Sequence, residues 1–393
     1  MKKIYLDYNA TTPVDPRVLE AMMPYFNDAF GNPSSIHSFG MKGKSALDCA
    51  REQVAGLIGA NAKEIIFTSG GSESNNFAIK GAAYGGVSKK GNHLITTAVE
   101  HESVLETFRF LEKEGFRVTY LGADRNGLID LDELNDSIAD DTVLVSCIYA
   151  NNETGAVMPI GEIADLVKGR GVVFHTDAVQ AAGKIDIDMR EAPADLLTIS
   201  AHKFYGPKGA GALYVRDGVK NRVQLGALIH GGGQERGYRS GTENVPGIAG
   251  MGLASAIAGS EMKSDEKRVR ALRDGLWERL SSGIGNIKLN GRMDALLWNT
   301  VNVLIEGVSG DALAMALDLE GIAVSTGSAC SEGKVDPSHV LMAMGLTREE
   351  ASSSVRFSLG RFTIKEDVDI TAGKVAAAVE RIRGLSGRGA AAI

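Results

Sequence analysis

Between Glu64 and Arg216, short apolar runs alternate with amphipathic ones, and this alternation constrains the fold more than any other feature. EIIFTSG, HLITTAV, RVTYLG, TVLVSCIYA, VVFHTDAV, LLTIS and GALYVR read as strands. SESNNFAIKGAAY, SVLETFRFLEKEG and PIGEIADLVKG read as the helices between them. TVLVSCIYA is apolar nearly throughout, as a strand covered on both faces should be. Strands alternating with helices predict a mostly parallel sheet in a three-layer α/β domain. In such sheets ligands bind beyond the carboxyl ends of the strands.

The flanks extend the pattern. IYLD is a short strand, and Pro16 suits the first position of a helix whose stripe is Val18, Leu19, Met22, Met23 and Phe26. After the loop FGNPSSIHSFG, a helix over Lys42 to Leu57 turns Ala46, Leu47, Ala50, Val54 and Leu57 inward. VPGIAGMGLASAIAG, built of small residues, reads as a buried helix. Near Ser264 the texture changes to MKSDEKRVRALRDGLWERL, a charged amphipathic connector helix. WNTVNVLIEG, IAVSTG and SSSVRFSLG then read as strands, and DALAMALDLEG and a segment around Val368 to Ile382 as helices. That is a smaller C-terminal α/β domain over 264–393. The tail GLSGRGAAAI reads as frayed.

A chain of 393 residues with 44% hydrophobic content can bury a large core and exceeds one compact small domain. With 42 basic and 49 acidic side chains the net charge is −7, which gives no support to direct nucleic-acid binding. MKKIYLDYNATTP has no apolar core of a signal peptide, and no apolar run reaches ~18 residues, so no membrane association is expected. Three cysteines, Cys49, Cys147 and Cys330, without a CxxC, argue against a disulfide framework and a thiolate zinc site. A reducing, cytoplasmic location follows.

Polar groups gather at the ends of the apolar strands. Lys203, in TISAHKFYGPKG, follows one strand and precedes a Gly-Pro turn. Asp177 ends FHTD, His101 follows TTAVE, and Asn152 follows SCIYAN. Singly, each has a plainer reading: a surface lysine, a capping aspartate, a hydrogen-bonded histidine. Together they match the needs of pyridoxal 5'-phosphate. That cofactor requires a lysine for its aldehyde and an acid facing its ring nitrogen. Gln180 and Ser200 could donate hydrogen bonds to it. SGGSES, between a strand and a helix, offers backbone N–H groups and the Ser72 hydroxyl to a phosphate, without a Walker A or GxGxxG pattern.

YLDYNATTP, FGNPSSIHSFG, IIFTSGGSESNN, TTAVEH, ANNETG, FHTDAVQ, SAHKFYGPKG, GGGQERGYRSGTEN, STGSAC and VRFSLGRFT span nearly the whole chain. With these motifs the chain resembles the cysteine desulfurases of the nitrogen-fixation and iron–sulfur-cluster type. These are class V aminotransferase-like, fold-type I pyridoxal phosphate enzymes. The resemblance implies a three-layer large domain over 15–263, with residues 1–14 an N-terminal arm of the small domain. It implies conversion of L-cysteine to L-alanine, with the sulfur carried as a persulfide on Cys330. Lys203 is then the cofactor-bonding lysine, and His101 is a catalytic residue that stacks on the ring and helps proton transfer. Asp177 pairs with the ring nitrogen and Gln180 with the phenolic oxygen. Gly71, Ser72, Ser200 and His202 hold the phosphate. Thr242 reaches the phosphate of the other subunit, which implies a homodimer. Asn152 and Arg356, with Asn32 nearby, hold the substrate carboxylate. No metal is implied in that site. The implied sulfur recipient is an iron–sulfur scaffold protein or another acceptor. GGSES and DYNATTP depart slightly from the commoner family patterns, and Ser72 keeps the hydroxyl. The short C-terminus fits the nitrogen-fixation length class. An aminotransferase, a β-eliminating lyase such as selenocysteine lyase, or a scaffolding relative are the rivals. A cysteine framed by Gly327 and Gly333 favours desulfuration over transamination.

Overall fold

The strands are apolar on both faces because both faces are covered. The computed structural model describes residues 2–87, 91–191, 194–217, 225–326 and 336–390. β1 (Ile4–Tyr5) opens the chain, and β2 (Ile65–Thr68), β3 (His93–Thr97), β4 (Arg117–Leu121), β5 (Thr142–Ser146), β6 (Val173–Asp177), β7 (Leu196–Ser200) and β8 (Gly211–Val215) form one seven-stranded sheet. Its order is β2-β8-β7-β6-β5-β3-β4. All pairs are parallel except those of β8, which runs antiparallel to both β2 and β7. Alternate residues face opposite layers. Ile66, Leu94, Leu144, Val173, Leu196 and Leu213 join one core. Their neighbours Ile65, Ile95, Val145, Phe174, Leu197 and Ala212 join the other.

Parallel neighbours need crossovers, and helices supply them. The helices Gly71–Val87 and Glu102–Lys113 cover the first face with Phe77, Ala78, Val104, Phe108 and Leu111. The helices Ser38–Leu57 and Ile160–Gly169 cover the second with Ala50, Val54, Ile163 and Val167. Each fully buried Val, Leu, Ile or Phe among them stabilises the fold by about 1.5–3 kcal/mol relative to exposure. The helix Ser38–Leu57 begins earlier than its apolar stripe, because the His37 ring accepts the Gly40 N–H at 3.3 Å and caps it.

The small-residue helix and the charged helix are one element, the 39-residue helix Val245–Gly283. Its first half needs small residues: a Cβ on Gly252 would meet the Ala50 Cα at 2.5 Å, so the helix Ser38–Leu57 packs against bare backbone. Its second half sends Val269, Leu276 and Leu280 into a separate core. No glycine-proline break separates the halves; only the environment changes, and that change reads as a boundary in the sequence. The separate core holds β9 (Ile287–Leu289), β10 (Thr300–Ile305) and β12 (Ser354–Ser358), an antiparallel sheet of order β12-β10-β9. β11 (Ile322–Ala323) pairs in parallel with β1, which brings Ile4 and Leu6 into this core. The helix Leu131–Ser137, capped by Asp130, is too short to show a stripe, and the last helix runs Lys365–Ala390, beyond the expected end. Among the described residues, no helix is long and apolar enough to cross a membrane.

Candidate active site

The carboxyl ends of β3, β5, β6 and β7 lie side by side, and a cavity of about 280 Å³ opens there. Its lining includes Gly71, Ser72, His101, Asn152, Asp177, Gln180, Ser200, His202 and Lys203. Nine predicted residues therefore meet in one space.

Lys203 sits on the single 3-10 turn Ala201–Lys203 that ends β7. Its ammonium donates to the Asn9 carbonyl at 2.5 Å and the Ala10 carbonyl at 2.8 Å. Burial, then the positive Arg356, push its pKa down to about 8, so a usable fraction of neutral amine exists near neutrality. Thr11 and Thr12 hold the same turn: Thr12 donates its hydroxyl to the His202 carbonyl at 2.9 Å, and Thr11 Oγ1 lies 3.1 Å from His202 Nδ1.

Asp177 is the last residue of β6. One carboxylate oxygen accepts the Val179 N–H at 2.9 Å and the other accepts the Asn75 amide at 2.7 Å. His101 caps the helix Glu102–Lys113, its Nδ1 accepting the Ser103 N–H at 3.1 Å. The residue keeps exposed surface and lines the cavity. Burial is the main cause that lowers its pKa, with Lys203 and His339 adding to it and Asp177 and Glu102 opposing. Gln180 donates through Nε2 to the Asn9 carbonyl at 2.8 Å and accepts at Oε1 from Lys184 at 3.1 Å. Lys184 is buried, and that burial, then Lys203, pushes its pKa down to about 7.

The N-terminus of the helix Gly71–Val87 faces the same space. First-turn N–H groups of a helix have no partner inside it. A Cβ on Gly71 would meet Val179 Cγ2 at 2.9 Å, so glycine lets this turn approach the Asp177–Gln180 segment.

The remaining predicted residues lie elsewhere. Arg356, on β12, does not line the cavity. It reaches it indirectly, donating to the Asn152 carbonyl at 2.8 Å and pairing with Asp7 at 2.6 Å. Arg356 Nε and Asn152 Oδ1 are buried without a partner, the two polar atoms in this corner that a bound ligand would satisfy. Asn32 is exposed in its loop, where its Oδ1 accepts the Ser34 N–H at 2.9 Å. Thr242 lines a second cavity of about 250 Å³, with Thr68, Ser69, Glu235 and Arg239. Cys330 lies outside the described residues. The residues on either side of that gap are anchored at the site. Ser325 exchanges backbone hydrogen bonds with Arg356 at 2.6 and 3.2 Å. On the far side Ser338 donates to the buried Glu153 carboxylate, and His339 Nε2 lies 2.9 Å from the Glu100 carbonyl.

Asn75, Ser103 and Lys184 escaped the sequence reading. Asn75 follows Ser72 by three residues, which places both on one helix face. Lys184 follows Gln180 by four, but lies in a turn where that spacing carries no such rule.

The fold and cavity define an α/β enzyme site built around a buried lysine, a carboxylate at a strand end and a helix N-terminus. Residues 4–370 match the family Aminotransferase class-V. Cysteine desulfurase IscS of Clostridium botulinum is 50% identical over 370 residues, 94% of this chain and 92% of that one. A solved NifS-like protein superposes with a TM-score of 0.90 at 38% identity, covering 96% of this chain and all (100%) of that one. SspA, solved in complex with cysteine, superposes with a TM-score of 0.81 at 40% identity, covering 92% and 100%. The chain belongs to the class V aminotransferase family, among the cysteine desulfurases of the IscS and NifS type.

Proposed function

We propose that this protein is a pyridoxal phosphate-dependent cysteine desulfurase that converts L-cysteine to L-alanine and carries the sulfur as a persulfide on Cys330. One observation carries the reading: the lysine, carboxylate and histidine share a cavity, and Ser325 and Ser338, on either side of the segment containing Cys330, bond Arg356 and Glu153, which adjoin the cavity-lining Asn152. The residues fit the cofactor. Lys203 would bond its aldehyde, Asp177 its ring nitrogen and Gln180 its phenolic oxygen. His101 would cover its ring. Gly71, Ser72, Ser200 and His202 would hold its phosphate, with Thr242 of a second copy. Bound there, pyridoxal phosphate supplies an electron sink for charge developing at the substrate Cα.

The chain's own groups supply the rest. Arg356 Nε, buried without a partner, and the Asn152 Nδ2 amide would donate to the substrate carboxylate, with Asn32 assigned to the same carboxylate. Lys203 Nζ, held between two carbonyls and partly neutral, takes the Cα proton. Asp177, fixed by two hydrogen bonds, keeps a proton on the ring nitrogen. The Cys330 thiolate attacks the substrate sulfur. A sulfur–sulfur bond forms, the substrate carbon–sulfur bond breaks, and the three-carbon remainder takes a proton at Cβ, regains one at Cα from Lys203 and leaves as alanine. An iron–sulfur scaffold protein or another cytoplasmic acceptor then takes the persulfide sulfur.

A homodimer belongs to the same reading. Leu19, Met23, Phe26, Phe30, Ile36 and Phe39 are exposed together near the N-terminus, with Ile36 97% exposed. Such an apolar surface suits an interface, and Thr242 is placed outside its own subunit's lysine cavity. The division into 15–263 and 264–393, with residues 1–14 joining the latter, is supported by Ile4 and Leu6 in the second core.

The test uses sulfur-labelled L-cysteine, nonreducing digestion and mass spectrometry of the three cysteine peptides. Label is expected on Cys330, and Cys330→Ala should still bind cofactor and L-cysteine but make no alanine. Label mainly on Cys49 or Cys147, or normal turnover by Cys330→Ala, would overturn the reading.

A further inference from the structure

Three side chains from three elements meet behind the His101 ring. The Asn75 amide uses both its hydrogens: one goes to Asp177 Oδ2 at 2.7 Å and one to Ser103 Oγ at 2.9 Å. The opposite amide orientation would set Asn75 Oδ1 against the Asp177 carboxylate, two acceptors face to face, so the orientation is determined. Ser103 Oγ, having accepted from Asn75, has its O–H left to give, and His101 Nδ1 lies 2.8 Å away. The same Nδ1 also receives the Ser103 backbone N–H at 3.1 Å. A ring nitrogen that accepts two hydrogen bonds carries a lone pair and no proton.

We infer that Asn75 and Ser103 are positioning residues that lock His101 in the tautomer protonated at Nε2 and tie that tautomer to the Asp177 carboxylate. Among the described residues Nε2 takes no hydrogen-bond partner, and His101 lines the cavity. His101 therefore presents an N–H donor to whatever lies there. Accepting a second proton at Nδ1 would break two hydrogen bonds. Accepting a thiol proton at Nε2 would first require the other tautomer. The charged groups facing the ring divide: Asp177 and Glu102 favour its cation, Lys203 and His339 oppose it, and burial sets the balance toward the neutral ring. In the proposed desulfurase, His101 then steadies the bound ring and substrate by donation, and is not the base that ionises the incoming thiol.

The inference deepens the proposed function, yet its test needs no turnover. The full-length protein as purified, labelled with nitrogen-15 histidine, is followed by two-bond proton–nitrogen correlation from about pH 5 to pH 8. The His101 signals are assigned from a His101→Gln sample. The expected result is a neutral Nε2–H ring at pH 7 that titrates below an ordinary histidine. Ser103→Ala and Asn75→Leu should raise the titration midpoint by about half a pH unit or more and populate the Nδ1–H form. Ser103→Thr, which keeps the hydroxyl, should restore the wild-type pattern. His175 and His93, hydrogen-bonded within the sheet, report whether each variant is folded. An Nδ1–H or doubly protonated ring in the wild type at pH 7 overturns the inference whether or not any variant folds. So do folded Ser103→Ala and Asn75→Leu proteins that keep the wild-type spectrum. A wild-type protein that shows the Nε2–H spectrum but makes no alanine from L-cysteine would count against the desulfurase reading instead.

Discussion

Replacing Lys184 by Met should change how stability depends on pH more than it changes stability itself. The amine is buried, with two acceptors, the Gln180 carbonyl and side-chain oxygen, both at 3.1 Å. Its pKa falls to about 7 in the fold, against about 10.4 in an unfolded chain. Between those values the unfolded state binds the proton and the folded state does not, so stability rises with pH through that window. Below about pH 7 the full cost is present; above about 10.4 it is gone. At about 1.4 kcal/mol per tenfold change in proton affinity, the ceiling is about 4–5 kcal/mol. Relaxation and water access reduce such penalties, leaving about 2 kcal/mol. Lys203 carries the same sign of dependence and is common to both proteins, so in the difference only its repulsion with Lys184 remains, which has the same sign. Unpairing the two Gln180 oxygens costs Lys184→Met about 1–3 kcal/mol at every pH. The discriminating quantity is therefore the slope. The indole of Trp298 donates to the Lys184 carbonyl at 2.7 Å and reports locally on this region. In a Trp277→Phe background, urea denaturation followed by Trp298 fluorescence should show the Lys184 protein gaining about 2 kcal/mol on the Met variant from pH 7 to pH 10. Parallel profiles for the two proteins would refute the assignment of a depressed proton affinity to Lys184.

Borohydride reduction of the purified protein, then peptide mapping, should place the pyridoxyl adduct on Lys203, and an adduct on Lys208 would contradict the proposed cofactor lysine. Mixing Lys203→Ala with Thr242→Ala subunits, with exchange verified, should restore about a quarter of the wild-type sites if Thr242 acts across a two-fold interface; absence of recovery would place Thr242 in its own subunit's site or outside catalysis.

The legible part of this molecule is what depends on local pattern. Apolar runs of strand length located all seven strands of the large sheet, and polar residues at or beside their ends located Lys203, Asp177, His101, Asn152, Gln180 and Ser200, while Gly71 and Ser72 came from the glycine turn and His202 from the family motif alone. Residues that act through other side chains were not legible. Lys184 looks like any turn lysine until Gln180 and Trp298 are folded around it, and Ser103 looks like a helix-start serine until Asn75 reaches it from another helix. Arg356 was found by motif, but its pairing with Asp7 joins positions 349 residues apart.

Strand direction is the deeper gap, because hydrophobicity carries none, and here direction shapes the site. β8 reads as one more apolar strand, yet it runs antiparallel between β2 and β7, with Gly211 in register beside both Thr68 and Ser200. A parallel strand would end at this edge and leave by a crossover loop, standing between the phosphate turn and the lysine turn. The reversed strand instead begins here, with a glycine. A Cβ on Gly211 would lie 2.6 Å from the Gly70 Cα, so its absence lets the Gly70–Gly71 turn lean toward Ser200. The reversal of one edge-proximal strand and the smallest side chain at its start thus bring the helix N-terminus and Lys203 into one cavity. Neither the strand pattern nor the glycine implies that arrangement alone; the antiparallel register joins them.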